Sequence, residues 1–137
     1  MKTDKFIDFQ GKKVLVTGAS SGIGRAISLE LSRCGAEVVL IGRDKEQLEN
    51  TASEMEGSSA NHIILLDLNE PSSIRDKIRE LSEKIGRIYG ICHCAGVVET
   101  RPLSACKISG IQWMLNVNLI SGVELARVVC RRNGGRA

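Results

Sequence analysis

The sequence predicts an α/β fold, a parallel β-sheet wound with helices on both faces. Three observations carry this reading. Short, uniformly apolar runs alternate four times with stretches of helical period. No hairpin turn signal joins one apolar run to the next. The first run opens directly into a glycine-rich segment, VLVTGASSGIG at 14–24. Unbroken apolar runs suit strands buried on both faces, as parallel sheets require, and strand–helix alternation supplies the crossovers that such sheets need.

The elements follow in order. KVLVT at 13–17 reads as the first strand. From Ile23 the period becomes helical, with Ile23, Ile27, Leu31 and Cys34 on one stripe and Gly35 at its end. EVVLI at 37–41 is the second strand, and Asp44 can cap a helix carrying Leu48, Ala52 and Met55. GSSAN at 57–61 reads as loop and HIILL at 62–66 as the third strand. Pro71 suits a first helical turn, ahead of the stripe Ile74, Ile78, Leu81 and Ile85. RIYGICHC at 87–94 is the fourth strand. A long helical pattern then runs from about 109 to 132, with Trp113, Leu115, Val117, Leu119, Val123, Leu125, Val128 and Val129 on more than one side. A helix apolar over most of its circumference should be buried, and left exposed it should self-associate. All 137 residues read as one domain.

Composition narrows the function classes. Net charge is +3 with no basic block, which gives no footprint for nucleic acid. Arg127, Arg131, Arg132 and Arg136 read as a solvated helix face and a tail. The N-terminal MKTDKFIDFQGKK lacks the apolar core of a signal peptide, and no apolar run approaches the ~20 residues of a membrane span. The five cysteines (34, 92, 94, 106 and 130) form no framework, so reduced thiols and a cytoplasmic setting are expected. Cys92 and Cys94, in CHC, would share one face of a strand with no second ligand pair at zinc spacing. They read as buried structural thiols, and no metal site is expected.

The glycine segment lies between the first strand and the first helix. Gly18 permits a tight exit from the strand, while Gly22 and Gly24 allow close approach of a ligand and close packing of helix on strand. The helix N-terminus behind them favours an anion, and Thr17, Ser20 and Ser21 can add hydroxyls. The arrangement suits a pyrophosphate. After the second strand, Arg43 can bind a phosphate in a bidentate way, or it is a solvated loop charge. An acidic residue at that place would favour NAD and an arginine favours NADP, so NADP(H) is expected, with NAD(H) the alternative.

The segment TGASSGIG, 17–24, resembles the short-chain dehydrogenase/reductase family, and with it a Rossmann-type doubly wound sheet. LDL at 66–68, HCAG at 93–96 and NVNLISG at 116–122 follow in that family's order. The resemblance covers essentially the whole chain, and the 3-oxoacyl-carrier-protein reductases are the subgroup it looks most like. It implies a cofactor contact through Thr17, Gly18, Ala19, Ser20, Ser21, Gly22, Ile23 and Gly24. It implies an adenine contact by Asp67, flanked by Leu68; on the bland reading Asp67 only orders a turn. Ala95 and Gly96 fit the family's small residues beside the cofactor ribose. His93 and Cys94 replace two asparagines, which removes hydrogen bonds that steady this strand in relatives. Cys94 is therefore expected to contribute main chain only, and His93 to be a satisfied core histidine rather than a base. Asn118 matches the family's catalytic asparagine, which in relatives interrupts helix geometry and holds a water of the proton relay, or else it makes a local backbone bond. Asn116, two residues away, points to a different side and matches no family position.

The family transfers hydride between a nicotinamide and a carbonyl or alcohol carbon, with a Ser and a Tyr-x-x-x-Lys pair as partners. An isolated tyrosine, pKa near ~10, is a poor base at neutral pH and needs the cation. This chain has one tyrosine, Tyr89, with His93 rather than Lys four residues on. The sequence therefore reads as the cofactor half of an NADP(H)-dependent carbonyl reductase, the fold truncated after about four strands and the fifth helix, with the catalytic half absent. The alternative is an inactive nucleotide-binding remnant or NADP(H) sensor. By analogy with relatives, the last helix would join a homo-oligomer.

Overall fold

A computed structural model describes residues 7–56 and 60–133. Its four strands are β1 (Lys13–Thr17), β2 (Glu37–Gly42), β3 (Asn61–Leu65) and β4 (Gly90–His93). The helices are α1 (Gly22–Arg33), α2 (Lys45–Ser53), α3 (Ile74–Ile85), α4 (Ile108–Leu115) and α5 (Ser121–Asn133). The described residues fall into two compact units, one from 7–56, 60–65 and Ile88–Cys94 and one from Leu66–Arg87 and 95–133.

The first unit holds the sheet, ordered β3-β2-β1-β4. Every pairing is parallel, with Thr17 opposite both Ile41 and His93, and Gly42 opposite Leu65. All four strands thus end on one edge. The order runs outward from β1 to β3 and then reverses to β4, so the switch point falls between β1 and β4, where such sheets bind ligands. Val14, Val16, Val38 and Leu40 join Ala19, Ala36 and Leu48 in a core against which Ile27 and Leu31 of α1 and Ala52 of α2 pack. Leu15, Val39 and Ile41, on the other face, are fully buried too. The apolar runs of β1 and β2 therefore have the expected cause, burial on both faces.

Three local departures have physical reasons. Ile23 is off the stripe of α1 and 74% exposed; the buried line is Gly24, Ser28 and Ser32, small residues that bring helix and strand close. β4 begins at Gly90, later than the apolar run suggests. The Tyr89 N–H still reaches the Lys13 carbonyl at 2.8 Å, but its ring, half-exposed, stacks edge-on against Phe9 with the Lys12 ammonium 4.5 Å from its centre. Residues 57–59 of the expected GSSAN loop, and Arg136, lie outside the described residues, and Asn61 belongs to β3.

In the second unit α3 buries Ile74, Ile78 and Leu81 and packs on α5. The single long helix expected at 109–132 is divided: a π turn, Asn116–Ile120, separates α4 from α5. It is apolar on two sides but buried on one. Val117, Leu125, Val128 and Val129 are buried, while Ile108, Leu115, Leu119 and Val123 are exposed, which corrects the expectation of burial around most of its circumference. The stretch Ile108–Arg131 is, by length and composition, long and apolar enough to cross a membrane. No unbroken apolar run within it approaches that length, and Glu124 and Arg127, paired with one another, sit inside it. Cys92 and Cys94 are half-buried rather than the fully buried thiols expected.

Candidate functional site

In the first unit the chain leaves β1 through Gly18 (φ +64°) and enters α1 at Gly22 (φ +51°), both left-handed. At Gly24 space decides the residue: an added Cβ would stand 2.2 Å from the Gly18 carbonyl oxygen. The loop is thus folded tightly onto the first turn of α1. Ser21 is the N-cap residue, extended, and its side chain caps nothing; no acidic residue occupies the first turn. The N–H groups of a first turn have no acceptor within the helix, and here the cap residue supplies no side chain for them. Ser21, Gly22 and Ile23 are exposed beside them. Ser20, Ser21 and Gly22 border an open cleft of about 620 Å³, whose far wall is Asp44, Gln47 and Asn50 of the α2 region. Arg25, at the same cleft, is ion-paired to Glu54.

Two residues of the motif have other duties. Thr17 is fully buried. Its hydroxyl meets Nδ1 of His93 at 2.9 Å and accepts the Cys94 N–H at 3.1 Å. This corrects its expected role as a phosphate donor: it bonds β1 to the end of β4. It also corrects the expectation that replacing two asparagines costs the strand its support, because His93 supplies a ring nitrogen in their place. Nε2 of His93 is buried without a partner among the described residues, so His93 is only half satisfied. Ala19 is likewise absorbed by the fold. Its N–H reaches the Ile41 carbonyl at 3.4 Å, and its carbonyl accepts the buried Thr51 hydroxyl at 3.0 Å. The Cys94 N–H is taken by Thr17, and burial pushes the Cys92 and Cys94 thiols up, with Cys92 adding to the effect at Cys94. Neither is a thiolate at neutral pH.

Arg43 directly follows β2, exposed and unpaired among the described residues. Asp44 turns its carboxylate to its own helix, accepting the Gln47 N–H at 3.1 Å.

The second unit places the other site residues in two loops. After β3, Asp67 is exposed and its Oδ1 accepts the Asn69 N–H at 2.9 Å, while Leu68 is buried and so not a free apolar surface. After β4, Asn118 makes a reciprocal pair with the main chain of Val97: its Nδ2 donates to the carbonyl at 2.8 Å, and its Oδ1 accepts the N–H at 2.7 Å. This holds the Ala95–Gly96 segment next to it; a Cβ on Gly96 would lie 3.6 Å from Asn118 Oδ1, an ordinary contact. The backbone partner of Asn118 is thus not local but the loop after β4, 21 residues away in sequence. Asn69, Val97 and Thr51 were not legible as site residues, since each acts through a partner distant in sequence.

The chain matches the short-chain dehydrogenase family model over residues 12–136. It is 29% identical to 3-ketodihydrosphingosine reductase of Bos taurus over 125 residues, 87% of this chain and 38% of the relative. It is 38% identical to retinol dehydrogenase 13 of Homo sapiens over 91 residues, 64% of this chain and 28% of the relative. A short-chain dehydrogenase from Burkholderia cenocepacia J2315, solved in complex with NADP, superposes with a TM-score of 0.84 at 27% identity, covering 91% of this chain and 52% of that one. A metagenomic short-chain oxidoreductase in complex with NADP gives 0.84 at 31% identity, covering 89% and 56%. The chain spans less than half the length of the curated relatives and about half that of the solved structures. With its Rossmann-type parallel sheet and its glycine loop, the chain belongs to the short-chain dehydrogenase family of oxidoreductases.

Proposed function

We propose that this chain binds NADP(H) and serves hydride transfer to a ketone or 3-oxoacyl carbonyl. One observation carries the reading: the first turn of α1 is left without a cap, without an acid and with glycines around it. Orphan N–H groups and the helix dipole there favour a pyrophosphate. Arg43, exposed after β2 and unpaired among the described residues, is suited to a 2′-phosphate. The Asp67 oxygen that its own turn does not use can accept from an adenine amine. Asn118 steadies the 95–97 segment as the family's ribose-side loop. When bound, the dinucleotide supplies or accepts the hydride; every role given to this chain is to bind and orient.

Solved relatives bound to NADP and a curated ketone reductase support the choice of cofactor and reaction. Tyr89 is engaged by Phe9 and Lys12, so no Tyr-Lys acid–base pair lies within these 137 residues. Taken alone, they hold cofactor without turning over a carbonyl, which is also the behaviour of a nucleotide sensor. The exposed apolar side of α4 and α5 supports pairing with a second copy.

Titration of the chain with NADPH and NADH, followed by nicotinamide fluorescence, tests the reading. Tighter binding of NADPH is expected. Equal affinities contradict the role of Arg43, and no binding of either contradicts the dinucleotide site.

A further inference from the structure

The π turn carries a second asparagine that the family resemblance leaves without a role. Side chains two residues apart on a helix diverge by about 200°, so one turn can serve two loops. Asn118 holds the loop after β4. Asn116 donates its amide to both the carbonyl and Oδ1 of Asn69, each at 3.2 Å, in the loop after β3. Asn69 in turn donates its N–H to Asp67 Oδ1 at 2.9 Å, and the Glu70 N–H reaches the Asp67 carbonyl at 3.1 Å. The four-residue turn is exposed from Asn69 onward and is closed on itself by these local bonds. Besides the buried Leu68 side chain, its outward hydrogen bond among the described residues is the Asn116 amide. A turn held only by its own short bonds keeps much conformational freedom, and a ligand that needs it fixed must meet that entropy cost. π turns frequently mark functional places in helices.

Resting on the dinucleotide reading above, we propose that Asn116 is a positioning residue for the adenine end of the cofactor. Through Asn69 it fixes the Asp67–Glu70 turn so that the second carboxylate oxygen of Asp67 is presented to the adenine 6-amine. Asn118 and Asn116 then make one π turn the common anchor of two loops, one for each half of the dinucleotide.

The test compares NADPH with its hypoxanthine analogue, in which the 6-amine that Asp67 would accept from is replaced by a carbonyl acceptor and the ring N1 carries the proton instead. Affinities are measured for the wild-type chain, Asn116→Ala and Asn116→Asp, the latter keeping size while losing both donated protons, with melting temperatures of the unliganded proteins alongside. The expected result is an approximately fivefold loss for NADPH in both variants, little change for the analogue, and unchanged melting. Asn69→Ala, which keeps its carbonyl acceptor, should lose less. Equal weakening of both dinucleotides, or no weakening of NADPH, overturns the proposal and leaves the dinucleotide reading standing. Failure of the wild-type chain to bind NADPH overturns both.

Discussion

The N-termini of α1 and α2 lie in the same unit and both follow a parallel strand, yet they are finished in opposite ways. At α2 the chain caps itself: Asp44 accepts the Gln47 N–H, and Glu46 adds an acid to the first turn. At α1 the cap residue Ser21 bonds nothing, no acid follows, and left-handed glycines clear the approach. A helix end with its own carboxylate is complete, and one without leaves positive potential for something else. The difference separates a helix start that serves only the fold from one that serves a ligand.

The strongest way to break the comparison is Gly24→Ala. Its Cβ would meet backbone, not a yielding side chain, so we expect a loss of about 3 kcal/mol, a Tm lowered by roughly 10 °C in calorimetry, and no NADPH binding. Next comes Thr17→Val, which leaves the Cys94 N–H and a His93 ring nitrogen without their partner. A stability loss of about 1–3 kcal/mol in urea unfolding is expected, with Thr17→Ser recovering most of it. Arg43→Ala should leave stability and NADH affinity alone and weaken NADPH about tenfold, near 1.4 kcal/mol. The comparison is sharpest in the smallest effects. Asp44→Ala should cost about 1 kcal/mol by loss of the cap without changing NADPH affinity. Ser21→Ala should shift stability by less than about 0.5 kcal/mol, because that hydroxyl caps nothing.

The local half of this molecule was legible in its sequence. Lys13–Thr17 is the strand that its apolar run announces, Asp44 is the cap that its position suggests, and Pro71 opens the 3₁₀ turn before α3. These follow from short-range rules of period, capping and dihedral preference. What was not legible depends on partners far apart. Thr17 and His93 are 76 residues apart, and Asn116 and Asn69 are 47 apart; no periodicity encodes either pair. Ile23 misled because a 4-4-3 stripe leaves the rotation of the helix ambiguous at its first turn. Packing settled it in favour of Gly24, whose missing side chain admits the Gly18 carbonyl. The break in the last helix is signalled by the family resemblance at Asn118 and not by periodicity, since an inserted residue leaves the apolar count intact while redirecting two asparagines.

The most direct test of the central claim is an NADPH titration followed through backbone amide resonances. The account predicts large shifts at Ser21, Gly22, Ile23 and Gly24, where the helix start is open, and little change at Glu46, Gln47 and Leu48, where it is capped. Shifts confined to the start of α2, or absent from both ends while NADPH is bound, would contradict it.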